Sequence, residues 1–128
     1  MEYILDTHTF LWFINGDKQL SEKAKKSIED TSATKYISIA TLWEIAIKVS
    51  IGKLELDMPF EELKQHVLLN GFELLLVMFE HTLELTSLEF HHRDPFDRII
   101  IAQGFTENYT IITKDKNFKQ YKKLKLLW

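Results

Sequence analysis

The segment His92-Arg93-Asp94-Pro95-Phe96-Asp97-Arg98 sets two carboxylates at the start of an isoleucine run, Ile99 to Ile101. Asp94 has the residue type of a helix N-cap, Pro95 suits the first helical position because it has no N–H to leave unpaired, and Asp97 falls in the first turn, at the positive end of the helix dipole. Alone, this is ordinary helix capping. Three further acids give the pattern more weight: Asp6 after the apolar Tyr3-Ile4-Leu5, Glu44 early in an apolar helical stretch, and Asp115 after Thr110-Ile111-Ile112-Thr113. Gathered carboxylates repel one another, so such a cluster persists mainly where a cation neutralises it. Oxygen donors, with no cysteine and no histidine pair at ligand spacing, select a hard ion, Mg²⁺ or Mn²⁺. Such a site suits phosphate chemistry, in which the ion generates hydroxide and stabilises a leaving oxygen.

The acids form a cluster only if the elements carrying them end at one place. Tyr3-Ile4-Leu5 reads as a buried strand with Asp6 at its tip, followed by a helix that Asn15-Gly16 stops. Ser21 caps a second helix, Glu22 to Asp30; Lys35-Tyr36-Ile37 is a second strand; Ser38 caps a helix from about Ile39 to Ile51 that carries Glu44 and is closed by Gly52. Pro59 opens a helix over Phe60 to Asn70 with Leu63, Val67 and Leu68 as its apolar stripe, and Phe72 to Val77 reads as a strand buried on both faces. A short helix over Glu80 to Phe90, the helix after Asp94, a fourth strand at Thr110 to Thr113 and a final edge strand at Lys125 to Trp128 complete the chain. This alternation predicts an α/β fold with a parallel sheet, in which ligands bind beyond the carboxyl ends of the strands. All five acids fall at that end.

Composition sets the outer bounds. A chain of 128 residues, 45% hydrophobic and 27% charged, is expected to be one domain with one core. No apolar run has the length of a membrane span, no leader precedes Tyr3, and there is no cysteine, so a soluble cytoplasmic protein without disulfides is expected. The net charge of −3 is unevenly spread: from Lys114 onward there are six lysines against one acid. A basic edge beside an acidic body suits a surface that meets phosphates next to one that holds cations, although such runs are more often simply solvated.

Four segments then fit one family in the right order. They are Leu5-Asp6-Thr7-His8 with Leu11-Trp12; Trp43-Glu44-Ile45-Ala46-Ile47-Lys48 with Gly52-Lys53-Leu54; His92 to Arg98 with Ile101-Ala102-Gln103; and Thr113-Lys114-Asp115 with Phe118. The sequence resembles PIN-domain ribonucleases and, among them, the VapC-type toxins of prokaryotic toxin-antitoxin pairs. The resemblance implies a single PIN domain over residues 1–128, a PIN-like three-layer α/β/α sandwich around a central, mostly parallel sheet of about five strands. It implies an endoribonuclease dependent on Mg²⁺ or Mn²⁺, acting on structured or looped cellular RNA, homodimeric, cytoplasmic and neutralised by a small cognate antitoxin. The family's metal-binding and catalytic acids carry over onto Asp6, Glu44, Asp97 and Asp115, with Asp94 either a further ligand or only a cap.

Around these, Thr7 and Thr113 are expected to hydrogen-bond near the ion, and His8 to touch substrate or cap the first helix. Arg98 and Lys114 are expected either to contact phosphate or to pair with the neighbouring acids. Leu11, Trp12, Phe13 and Trp43 are read as an antitoxin groove, against the alternative that each is a core or dimer contact. A phospho-acceptor receiver would need an acid where Thr7 stands, and an aspartyl phosphatase one where His8 stands. The alternatives retained are a non-catalytic PIN-like module binding RNA or a partner, and a structure-specific DNA nuclease.

Overall fold

Leu5, Ile4 and Tyr3 have almost no contact with solvent, and the strand they form is the middle of the sheet. The computed structural model describes all 128 residues. Strand β1 (Glu2–Leu5) pairs on one side with β2 (Thr34–Ser38) and on the other with β4 (Thr110–Ile112), while β3 (Phe72–Leu75) and β5 (Leu126–Leu127) are the edges. The order is β3-β2-β1-β4-β5 and every pairing is parallel. The helices are α1 (Thr7–Asn15), α2 (Glu22–Glu29), α3 (Ile39–Ser50), α4 (Leu63–Leu69), α5 (Phe79–Ser87) and α6 (Pro95–Glu107), with short 3₁₀ turns at Phe60–Glu62 and Lys116–Gln120. None is long and apolar enough to cross a membrane.

Alternation along the strands separates two apolar layers. Tyr3, Leu5 and Ile112 join Phe10, Ile28, Leu63, Val67 and Phe72 on the side of α1, α2 and α4. Ile4 and Ile111 point the other way, onto Ile99 to Ala102 and Phe118 on the side of α6. The result is the expected α/β/α sandwich, with a sheet that is wholly rather than mostly parallel.

The chain steps outward from β1 through β2 to β3 and then returns to lay β4 beside β1. Where strand order reverses, the loops leaving the two neighbours turn to opposite faces and open a crevice at their carboxyl ends. Asp6 leaves β1 at this crevice, and Thr113 and Asp115 leave β4.

Some sequence expectations are corrected. Strand β3 is an edge, paired only to β2: Phe72 is buried, Glu73 is exposed, and Leu76 and Val77 lie beyond its end at 56% and 37% exposure. A continuous apolar run therefore marks here a half-covered edge and its exit, not a strand buried on both faces. Leu68 is exposed, so the α4 stripe is Leu63 and Val67, and Phe60–Glu62 forms a separate 3₁₀ turn. Helix α5 ends at Ser87, because the carbonyls of Leu88 and Glu89 turn to the Arg98 guanidinium at 3.4 and 2.8 Å.

Helix α6 is the most deeply set, with every residue from Arg98 to Gly104 buried. It can lie this close because Gly104 has no side chain: a Cβ there would stand 2.9 Å from Ile111 Cδ1 and 3.3 Å from Leu124 Cδ1. Gly104→Ala is expected to destabilise the fold by roughly 1–3 kcal/mol through overpacking, offsetting the gain in helix propensity. Urea unfolding of the two proteins measures it.

Candidate active site

Each acid is set by the end of an element. Asp6 follows β1 and is the N-cap of α1, accepting the Thr9 amide at 2.9 Å. Its other oxygen accepts the Thr113 hydroxyl at 2.6 Å, and Thr9 donates its own hydroxyl to the Ile112 carbonyl at 3.0 Å, so the β1 and β4 tips are tied twice. Glu44, in the second turn of α3, is buried; it accepts the Thr7 hydroxyl at 2.7 Å and pairs with the half-exposed Lys48 at 2.8 Å. Asp94 caps α6, its Oδ1 taking the amides of Phe96 and Asp97 at 2.9 and 3.0 Å, with Pro95 at the first helical position as the sequence predicts. Asp115 caps the following 3₁₀ turn through the Asn117 amide at 2.8 Å and is itself steadied by its own amide donating to Thr113 Oγ1.

Asp97 is the least compensated of the five. Its one side-chain hydrogen bond is to His92 Nε2, at 3.3 Å. Burial, followed by the charges of Asp94, Asp6, Asp115 and Glu44, pushes its carboxyl up to about 8, although it sits in the first turn of a helix. A helix terminus favours an anion there by only about 0.3–1 kcal/mol, which loses to desolvation and four like charges. Asp6 is raised in the same direction by burial, against the opposing effect of the Thr113 and Thr9 hydrogen bonds and of His8. His92 is depressed, chiefly by burial, which disfavours the charged form of the ring beside Asp97.

The donor set fits a hard divalent cation: carboxylate oxygens alone, gathered until one of them favours its proton at neutral pH. As the side chains lie, no three of them converge closely enough to hold an ion. Thr113, Thr7, Lys48 and the Asn117 amide occupy oxygens that would have to turn inward.

Of the other residues read from the sequence, Thr7 and Thr113 do touch the acids. Lys114 is exposed and shares a cavity of about 360 Å³ with Asp6, His8, Trp12, Gln19 and Asp115. Arg98 does not face that cavity. It is buried, holds the Glu89 and Leu88 carbonyls and the Tyr121 hydroxyl, and has Phe90 stacked 4.3 Å from its guanidinium. Its place in the sequence, next to Asp97, suggests a phosphate contact, but the neighbouring helical position is turned by about 100°, towards the Leu88 and Glu89 carbonyls and Tyr121.

The four residues read as one groove are also dispersed. Phe13 packs edge-on against Phe72, Leu11 lines a separate hollow with Lys48 and Leu54, Trp12 lines the acid cavity, and Trp43 stands exposed against Phe96. Two positioning residues escape sequence reading. Lys48 was signalled by its i+4 spacing from Glu44. Tyr121 had no local signal: its hydroxyl accepts from Arg98 at 2.9 Å and reaches His92 Nδ1 at 2.8 Å.

Comparison with known proteins follows from this geometry. The family model of the PIN domain matches residues 3–124. Among solved structures, VapBC2 from Rickettsia felis bound to a promoter DNA fragment is 20% identical, with 99% of this chain and 98% of that one covered and a TM-score of 0.75. DNA-bound VapBC from Salmonella typhimurium is 16% identical, with coverage of 99% and 97% and a TM-score of 0.71. VapBC-5 from Mycobacterium tuberculosis, a member of the VapBC family of toxin-antitoxin systems, is 16% identical, with coverage of 98% and 95% and a TM-score of 0.61. At these identities the likeness is one of fold. No curated protein matches the sequence.

Because the Asp97 carboxyl is raised in the folded chain, the folded state holds a proton that the unfolded state releases near pH 4, and stability falls as pH rises from about 4 through 8. Thermal melting in chelator should show this decline. Asp97→Asn should flatten it and raise the Tm at pH 8 by at least a few degrees; an unchanged slope would remove Asp97 as its cause.

Proposed function

The chain belongs to the PIN domain family, and from that premise we propose that it is a metal-dependent endoribonuclease, the toxin of a toxin-antitoxin pair. The observation that carries the reading is the grouping of Asp94, Asp6, Asp115 and Glu44 around Asp97, near enough for their charges to add to burial in pushing its carboxyl up to about 8. The VapBC assemblies that share the fold support the toxin assignment and a small antitoxin as partner. In this reading the chain is one PIN domain over residues 1–128, acting as a homodimer in a prokaryotic cytoplasm on structured or looped RNA.

Asp6, Asp97 and Asp115 would hold Mg²⁺ or Mn²⁺, with Glu44 binding it or orienting the attacking water, and with Asp94, whose Oδ1 takes two helix amides, either a further ligand or only a cap. When bound there, the ion would supply a water of lowered pKa and a positive charge to offset the negative charge of the scissile phosphate. The chain's own groups do the rest. Thr113 fixes one oxygen of Asp6 and the amide of Asp115 together, so the two acids from adjacent strands keep a constant separation. Thr7 and Lys48 each hold one oxygen of Glu44 and fix the plane of its carboxylate. Lys114, exposed at the rim, offers a cation to a phosphate of the bound strand. Addition of water to phosphorus with departure of the 3′-oxygen leaves a 3′-hydroxyl and a 5′-phosphate.

Purified chain, freed of any copurifying small protein, is expected to cut cellular RNA into discrete fragments with Mg²⁺ or Mn²⁺ and to stop in excess chelator. Asp6→Asn and Asp97→Asn should each lower the rate at least about 100-fold, since loss of one ligand charge removes much of the ion's hold. Normal cleavage by Asp97→Asn would overturn the site.

A further inference from the structure

The cavity beside the acids has one wall that metal binding and phosphate neutralisation do not use. The Trp12 indole is half-buried, fixed at its edge by Trp128 at 5.9 Å between centroids and 61° between planes, and flanked by His8 at 5.8 Å and 43°. The Lys114 ammonium lies over the indole, 5.9 Å from the ring centroid, and the exposed Gln19 lines the same cavity. Trp128 belongs to the stretch after β5 and Trp12 to α1, so two separate parts of the chain hold one aromatic plane beside the acids. A core aromatic would be covered on its faces. This one opens onto about 360 Å³ shared with Asp6 and Asp115.

We infer that this wall is a stacking subsite for an unpaired nucleobase of the RNA strand, next to the phosphate that is cut, with Trp12 as the platform and Gln19 presented to the base edge. The inference rests on the nuclease reading of the adjacent acids and names what flanks the phosphate in that site. The charge pattern favours a nucleotide over a purely apolar side chain, because the cavity that the aromatic plane lines also holds a cation and two carboxylates rather than an apolar rim. A base stacked on the indole and covered by the lysine stem needs about 7 Å, two stacking separations of about 3.4 Å. Lys114 stands slightly nearer than that on a flexible exposed stem, which can move its ammonium off the ring and onto the phosphate. Stacking tolerates every base, so the subsite selects for an unpaired nucleotide rather than for a sequence, as loop-directed cleavage requires.

The test uses a short unpaired RNA and versions of it with one abasic nucleotide placed at each position in turn. Binding is followed by fluorescence anisotropy with Ca²⁺, and cleavage in parallel with Mg²⁺. Trp12→Ala is expected to weaken binding of the intact RNA about 5- to 150-fold, the range that one stacked base represents. Trp12→Phe should keep most of it, and thermal melting shows that both variants fold. At one position the abasic RNA should lose affinity for the native chain by the same factor and lose nothing more with Trp12→Ala. Independent, multiplying losses, or intact-RNA binding by Trp12→Ala equal to that of the native chain, would overturn the subsite and leave Trp12 to a protein partner. Trp12-dependent binding without cleavage keeps the subsite and overturns the nuclease reading; cleavage indifferent to Trp12 does the reverse.

Discussion

Asp6, Glu44 and Asp97 are held largely out of water within reach of Asp94 and Asp115, and the repulsion this creates governs what surrounds them. Like charges in a poorly solvated crevice are tolerated when each is given hydrogen-bond donors or loses its charge. Four of the five have donors of their own: the Thr113 hydroxyl and Thr9 amide for Asp6, Thr7 and Lys48 for Glu44, two helix amides for Asp94, and the Asn117 amide for Asp115. Asp97 has only a long contact from His92. Burial first, and then the charges of the other four, push this single carboxyl up to about 8.

Holding that arrangement still requires a rigid scaffold, and the sheet order provides one. With β4 returned beside β1, the strands that Asp6 and Asp115 follow are neighbours, and the hydroxyls of Thr113 and Thr9 tie the two exits together. Asp97 comes from a helix instead, so its position is only as fixed as that helix. This accounts for α6 being buried continuously from Arg98 to Gly104, packed against β4 closely enough that Gly104 is needed at the contact. The apolar run Ile99 to Ile101 places the carboxylate through packing on the sheet.

What the sequence made legible was local. Asp94-Pro95 declares its cap, Ser21 and Ser38 declare theirs, and Asp6 and Asp115 follow apolar runs whose strands form where expected. These are decided within a few residues by backbone hydrogen bonding and side-chain pattern. Position within the sheet was not legible for Phe72 to Leu75, because an apolar run reads alike whether a neighbouring strand covers it or not. Nor were the directions of Arg98 and Phe13, which the facing elements decide: a loop carbonyl pair and Tyr121 for one, Phe72 for the other. The aromatic residues split among core, cavity and surface for the same reason.

The Arg98 result bears on how the site meets phosphate. A guanidinium keeps its charge and donates only, so the Tyr121 hydroxyl must accept from it. The same hydroxyl lies 2.8 Å from His92 Nδ1, and His92 Nε2 lies 3.3 Å from Asp97, so the buried arginine is linked to the least compensated carboxyl through Tyr121 and His92. Buried against neutral acceptors, the Arg98 guanidinium does not line the cavity. Of Arg98 and Lys114, the two cations read from the sequence as phosphate contacts, only Lys114 is exposed and lines the cavity, which leaves the lysine as the proposed contact.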